Sequence, residues 1–237
     1  MVKIEILGLD VENIDCGKRK LSSGRVWGGE EVERSSIPWQ VAIFDHNYHS
    51  DRLPICGGTL ISPWHVLTAA HCIDYPNDCW TYSVGIGMHH GDIRDGTRIF
   101  IHHISNHPAY NPNRCPNNNY GDIIPDVDFS ILHLNTPFTF NNKVQPACLP
   151  DDSMKTMRLG GKKLTISGWG EENIDRLYKA TIPAVTNPEC MRYNNRPDYF
   201  TGDKPCNYIT LNMFCAGNPR NRTTSTGRGD SGGSIQC

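Results

Sequence analysis

With 237 residues, 38% of them hydrophobic and 20% charged, the chain is long enough for one large domain or two small ones with a real core. A net charge of −2 leaves no basic footprint for nucleic acid and no acidic tail. No apolar run is long enough to span a membrane.

The chain opens on "MVKIEILGLDVENID", whose apolar positions are broken by Lys3, Glu5 and Asp10. That leaves no signal-peptide core, so either export uses another route or the natural N-terminus lies further upstream, and the second is the expectation. Strand-like runs follow at "QVAIF" (Gln40 to Phe44), "GGTLIS" (Gly57 to Ser62), "RIFIHHI" (Arg98 to Ile104), "FSILHL" (Phe129 to Leu134) and "KLTISGW" (Lys163 to Trp169). Gly, Pro, Asn and Asp punctuate them, the pattern of all-β sandwiches and barrels. The segment from Asn106 to Asp128 reads as a long polar loop, and loops of that length are usually functional or disordered. A second linker, Asn135 to Ser153, divides the chain into halves of similar size.

Ten cysteines are scattered along the chain without a CxxC pair. They point to a disulfide framework rather than a zinc ribbon, hence to an oxidising compartment and a secreted protein. The pairs His89-His90 and His102-His103 tempt a metal reading. Adjacent strand residues face opposite ways, so neither pair is expected to chelate one ion, and no metal or cofactor is expected. "NRT" at Asn221 is the acceptable glycosylation sequon.

Three motifs carry chemistry in order: "LTAAHC" with His71, "DVDFSILHL" with Asp128, and "GRGDSGG" with Ser231 in a glycine-rich turn. Acyl transfer through a serine needs a nucleophile, a base, an acid that fixes the base's tautomer, and donors for the developing oxyanion. The amides of Gly229 and Ser231 are placed to be those donors. Each motif alone is a modest signal, since a lone His or an Asp before a strand is more often structural. In the order His, Asp, Ser they are specific. The same stretch spells Arg228-Gly229-Asp230, an adhesion tripeptide that matches by chance in many chains.

The chain therefore resembles the trypsin/chymotrypsin family of serine proteases from about Cys16 to its last residue. Landmarks are "RVWGG", "PWQVAI", "CGGTLIS", "LTAAHC", "HPAYN", "DFSILHL", "QPACLP", "ISGWG", "DRLYKATIP", "FCAG" and "GDSGG". The resemblance implies an all-β fold of two perpendicular antiparallel Greek-key barrels with the catalytic residues between them. It divides the chain into a propeptide (1–25), a first barrel (26–140), and a linker with an incomplete second barrel (141–237). His71 would be general acid/base, Asp128 its orienting partner and Ser231 the nucleophile. Cleavage after Arg25 would free the Val26 amine to pair with Asp230, a buried charge pair that works as an on/off switch. Trp27 is bulkier than usual beside it.

Further implications of the resemblance concern cysteines, pocket and partners. Cys56–Cys72 would brace the His71 turn, Cys190–Cys215 a loop beside the specificity pocket, and Cys16–Cys148 would tether the propeptide. Cys79 and Cys115 fall in loops flanking the cleft and could pair; Cys206 and Cys237 are left unassigned, since Leu164 stands where Cys237 would find its usual partner. The calcium loop of some relatives is not expected, because Met88 and Arg98 stand where two carboxylates would. Ser225 would form a neutral pocket floor, favouring apolar or aromatic side chains, and Gly227 replaces a pocket-stapling cysteine. Relatives continue past the position of Cys237 into a "SWG" edge and a C-terminal helix. Expected partners are protein or peptide substrates, an activating protease and macromolecular inhibitors, with the chain a monomer. The alternative is a weak or inactive homologue acting as a binding or decoy protein.

Overall fold

The computed structural model describes residues 15–19, 30–47, 52–111, 126–151, 154, 157–170, 175–194, 209–210, 212–217, 226–227 and 229–236. Its first strand, β1 (Glu30–Glu31), belongs to a sheet built mainly by the second half of the chain. The next six are β2 (Gln40–Asp45), β3 (Cys56–Ser62), β4 (His65–Thr68), β5 (Tyr82–Ile86), β6 (Thr97–Asn106) and β7 (Ser130–Leu134). They close a barrel in the order β2-β3-β4-β7-β6-β5, every neighbouring pair antiparallel. The barrel's own strands thus run from Gln40 to Leu134, while β1 crosses to the other sheet.

Strands β2, β3 and β5 are buried along their whole length, which is why they read as near-continuous apolar or small-residue runs. Val41, Ile43, Leu60, Val66, Val84 and Leu132 are buried with no measurable exposure, as is Phe44 on the opposite face of β2 from Ile43. Strand β6 instead alternates from Arg98 to Ile101: Ile99 and Ile101 point in, Arg98 and Phe100 point out.

The second sheet runs β1-β9-β8-β11, with β8 (Lys163–Gly168), β9 (Tyr178–Val185) and β11 (Ile235–Gln236); β10 (Cys215–Ala216) pairs with the far end of β9. One short helix, α1 (Asn187–Asn194), follows β9. The molecule is therefore mostly β, one closed barrel and one curled half-barrel sheet, as the sequence led us to expect.

Four buried side chains, Leu164, Ile166, Ile182 and Ala184, form the second sheet's own core. At about 1.5–3 kcal/mol for each large one, that is too little to order the sheet unaided. Trp169 and Leu177 belong to the barrel's core instead. Polar bonds complete the docking: Ser167 Oγ donates to Gln40 Oε1 at 2.7 Å in a buried contact, and Trp169 Nε1 donates to the His89 carbonyl at 3.1 Å. The sheet stands by leaning on the barrel.

Candidate active site

Antiparallel pairing of β4 with β7 puts Thr68 opposite Ser130. The chain leaving β4 therefore lies beside the chain entering β7. Three residues beyond Thr68, a 3₁₀ turn (Ala70–Cys72) carries His71; two residues before Ser130 stands Asp128. The Cys56–Cys72 disulfide ties that turn to β3. One Asp128 oxygen accepts the His71 backbone N–H at 2.9 Å, and the other meets the ring Nδ1 at 2.6 Å. An ionised carboxylate only accepts, so Nδ1 carries the proton and Nε2 presents its lone pair. The Asp128 hydrogen bond raises the His71 pKa above its ordinary value; partial burial opposes the rise, and the charges of Asp128 and Asp74 add to it.

The glycine-rich turn carrying Ser231, the expected nucleophile, arrives from the other half of the molecule. Ser231 is anchored by its carbonyl, which accepts the Gly57 N–H at 2.7 Å and lies 3.8 Å from Cys72 Sγ, next in the chain to His71. Gly57 lets this happen, because a Cβ there would lie 3.1 Å from the Gly233 backbone. Gly232 is tighter still. Its φ is +78°, and a Cβ would fall 2.2 Å from Thr68 Oγ1 and 2.5 Å from the Gly57 carbonyl oxygen. We expect Gly232→Ala to destabilise the protein by about 3 kcal/mol through strain and clash together, read as a lowered Tm. An unchanged Tm would mean that the turn does not dock there.

Asp230, next to Ser231, accepts Gly170 N–H and Gly227 N–H, one on each oxygen and both at 2.9 Å. Gly168 has no room for a Cβ because the same carboxylate occupies the space. Arg25, Val26 and Ser225, the expected pocket floor, lie outside the described residues, as do Cys115, Cys206, Cys237 and Asn221. Disulfides join Cys16 to Cys148 and Cys190 to Cys215. Cys79 carries a free thiol that donates to the His102 carbonyl at 3.1 Å.

Two cavities adjoin the site. One of about 210 Å³ is lined by Thr226, Gly227, Asp230 and Ser231. A larger one of about 740 Å³ touches Asp128 and Gly232 but is lined by neither His71 nor Ser231. The smaller opens beside Ser231. A gathered three-donor group, Cys56, His71 and Cys72, has its two sulfurs joined as a disulfide and offers no thiolate to a metal. In the loop from Gly87 to Gly96, Asp95 binds Arg34 and the amides of His89 and His90, while Asp92 binds Arg94.

Asp126 escaped the sequence reading. Its Oδ1 accepts from Thr210 Oγ1 at 2.7 Å and from Asn212 Nδ2 at 3.4 Å, linking the approach to Asp128 with the second half of the chain. Between the two carboxylates Val127 sits at φ +54°, a conformation that a β-branched residue adopts only under constraint. The alternating "DVD" was the available signal, and nothing in it distinguished the bridging Asp from an ordinary turn residue.

The family model described as Trypsin matches residues 26–237. Over 234 residues the chain is 31% identical to Transmembrane protease serine 9 of Rattus norvegicus, covering 97% of this chain and 20% of that protein. The chain thus spans about a fifth of the length of that curated relative. Among solved structures it is similar to neuropsin, a serine protease expressed in the limbic system of mouse brain. The identity is 29% and the TM-score 0.65, over 88% of this chain and 81% of that one. Among the described residues no helix is long and apolar enough to cross a membrane.

Proposed function

The chain belongs to the trypsin family, and from that premise we propose that it is the protease unit of a secreted serine endopeptidase, made as a zymogen and activated by cleavage after Arg25. The observation that carries this reading is the His71–Asp128 pair beside a turn that holds Ser231 on Gly57. In the proposed reaction, His71 Nε2 takes the Ser231 Oγ proton as Oγ attacks the scissile carbonyl. The amides of Gly229 and Ser231 hold the oxyanion, a contribution worth about 10²–10³ in rate per donor. His71 then gives its proton to the leaving amine, and water releases the acyl group by the reverse sequence.

Activation works through Asp230 in this reading. The new Val26 ammonium would pair with the carboxylate that the Gly170 and Gly227 amides already hold, setting the turn that carries the oxyanion donors. The Cys16–Cys148 disulfide, with the Gly17 N–H donating to the Pro146 carbonyl at 2.9 Å, keeps the cleaved propeptide attached. Protein substrates, an activating protease and macromolecular inhibitors are the partners this implies.

The test is to cleave the chain after Arg25 and expose it to a fluorophosphonate. Ser231 should be labelled, the labelled protein should run as one species without reductant, and reduction should release the 1–25 piece. A cleaved, folded protein that does not label would favour the alternative, a binding homologue without turnover.

A further inference from the structure

The barrel's outer face gathers four histidines that the proposed catalysis does not use. Strands β4, β7 and β6 are neighbours in that order, and the register sets His65 opposite His133 and His133 opposite His103. Three imidazoles thus form one row across three strands. Ring centroids are 4.9 Å apart for His65 and His133 and 5.2 Å apart for His133 and His103. Two imidazoles that share a tetrahedral ion through nitrogens about 2 Å from it have centroids about 5 Å apart.

A β-bulge makes this face possible. The pairing shifts between Ile101 and His103, and the burial sequence there is in at Ile101, out at both His102 and His103, in again at Ile104. The opposite-faces rule for adjacent strand residues fails at this point. His102 consequently joins the same side, lining a cavity of about 320 Å³ with Trp64, His65 and His133.

We propose that His65, His133 and His103 form a binding site for a divalent transition metal of the zinc type, with His102 at its margin. Serines orient two of the donors. Ser62 Oγ bonds His65 Nδ1 at 2.6 Å, leaving Nε2 for the ion, and Ser105 Oγ bonds His133 Nε2 at 3.0 Å, leaving Nδ1. Outer hydrogen bonds of this kind fix ring orientation at metal centres. Nitrogen donors suit zinc, nickel or copper and not calcium or magnesium. Among the described residues the three nitrogens are not gathered within one ion's reach of one another, so binding includes rotation of rings in the row, of which His103 is the exposed one.

Such an ion would clamp β4, β6 and β7 together at the end of β4 away from His71, about 10 Å along the strands from Thr68 and Ser130. The test is calorimetric titration of the folded chain with zinc chloride at pH 7.5, one ion per chain being expected. Affinity should fall at least 10-fold in each of His65→Ala, His103→Ala and Ser105→Ala, and should survive His71→Ala and Cys79→Ser. Zinc should also shift the ring NMR signals of His65, His103 and His133 in the unmutated protein, which needs no variant to fold. Undiminished affinity in His103→Ala, loss of binding in His71→Ala or Cys79→Ser, or ring shifts confined to other histidines would overturn the proposal.

Discussion

Ser231→Ala should lower kcat/KM of the activated protein by about 10⁶-fold, the scale at which removing the nucleophile acts in Ser-His-Asp proteases. Its Tm should stay within about 1 °C, because an isolated polar-to-alanine change away from buried networks costs little. The structure supplies the reason for the split. Ser231 is anchored by its backbone carbonyl on the Gly57 amide, and alanine keeps that bond. Only Oγ is lost. Gly232→Ala, one residue on, should do the reverse, damaging the fold first because its Cβ has nowhere to go. Kinetics on a peptide amide with a matched thermal melt checks the pair of results. A loss below about 100-fold in Ser231→Ala would assign the nucleophile elsewhere.

What could be read in advance follows from how far each feature depends on local chemistry. The runs from Gln40, Gly57, Arg98, Phe129 and Lys163 became β2, β3, β6, β7 and β8 with ends moved by a residue or two. Each is bounded by turn residues and rich in branched side chains, so its period is visible. Strand β9 was not read because Pro183 lies within it, and β1, β10 and β11 span two residues each, too few to show any period. Three disulfides stand where the family resemblance put them. The histidine row and the Asp126 bridge were illegible for a different reason. Both depend on register: a one-residue bulge at His102 and a contact from Asp126 to Thr210, 84 positions away. Neither event leaves a mark in composition or spacing.

Asp128→Asn is the sharper test of the site, because the replacement keeps shape and changes only which atoms accept. Asp128 takes two protons' worth of hydrogen bonding from one residue, the His71 backbone N–H and the ring Nδ1–H. Asparagine has a single acceptor oxygen. If that oxygen keeps the backbone N–H, the NH₂ group faces Nδ1, which must then accept. The ring proton moves to Nε2, and the atom meant to act as a base becomes a donor. Activity at neutral pH should fall about 10⁴-fold, with substrate binding largely retained. The pH profile should change in a defined direction. The Asp128 hydrogen bond raises the His71 pKa, so in the parent kcat/KM should fall as pH drops through a value above that of an ordinary imidazole. Without the carboxylate that acid limb moves to lower pH. Stability follows the same linkage: a raised folded-state pKa contributes fully below the unfolded value and is lost as pH rises through the folded one. The stability gap between parent and variant should therefore narrow as pH climbs through that range. A variant within 10-fold of the parent, or an acid limb that stays in place, would show that Asp128 does not set the His71 tautomer.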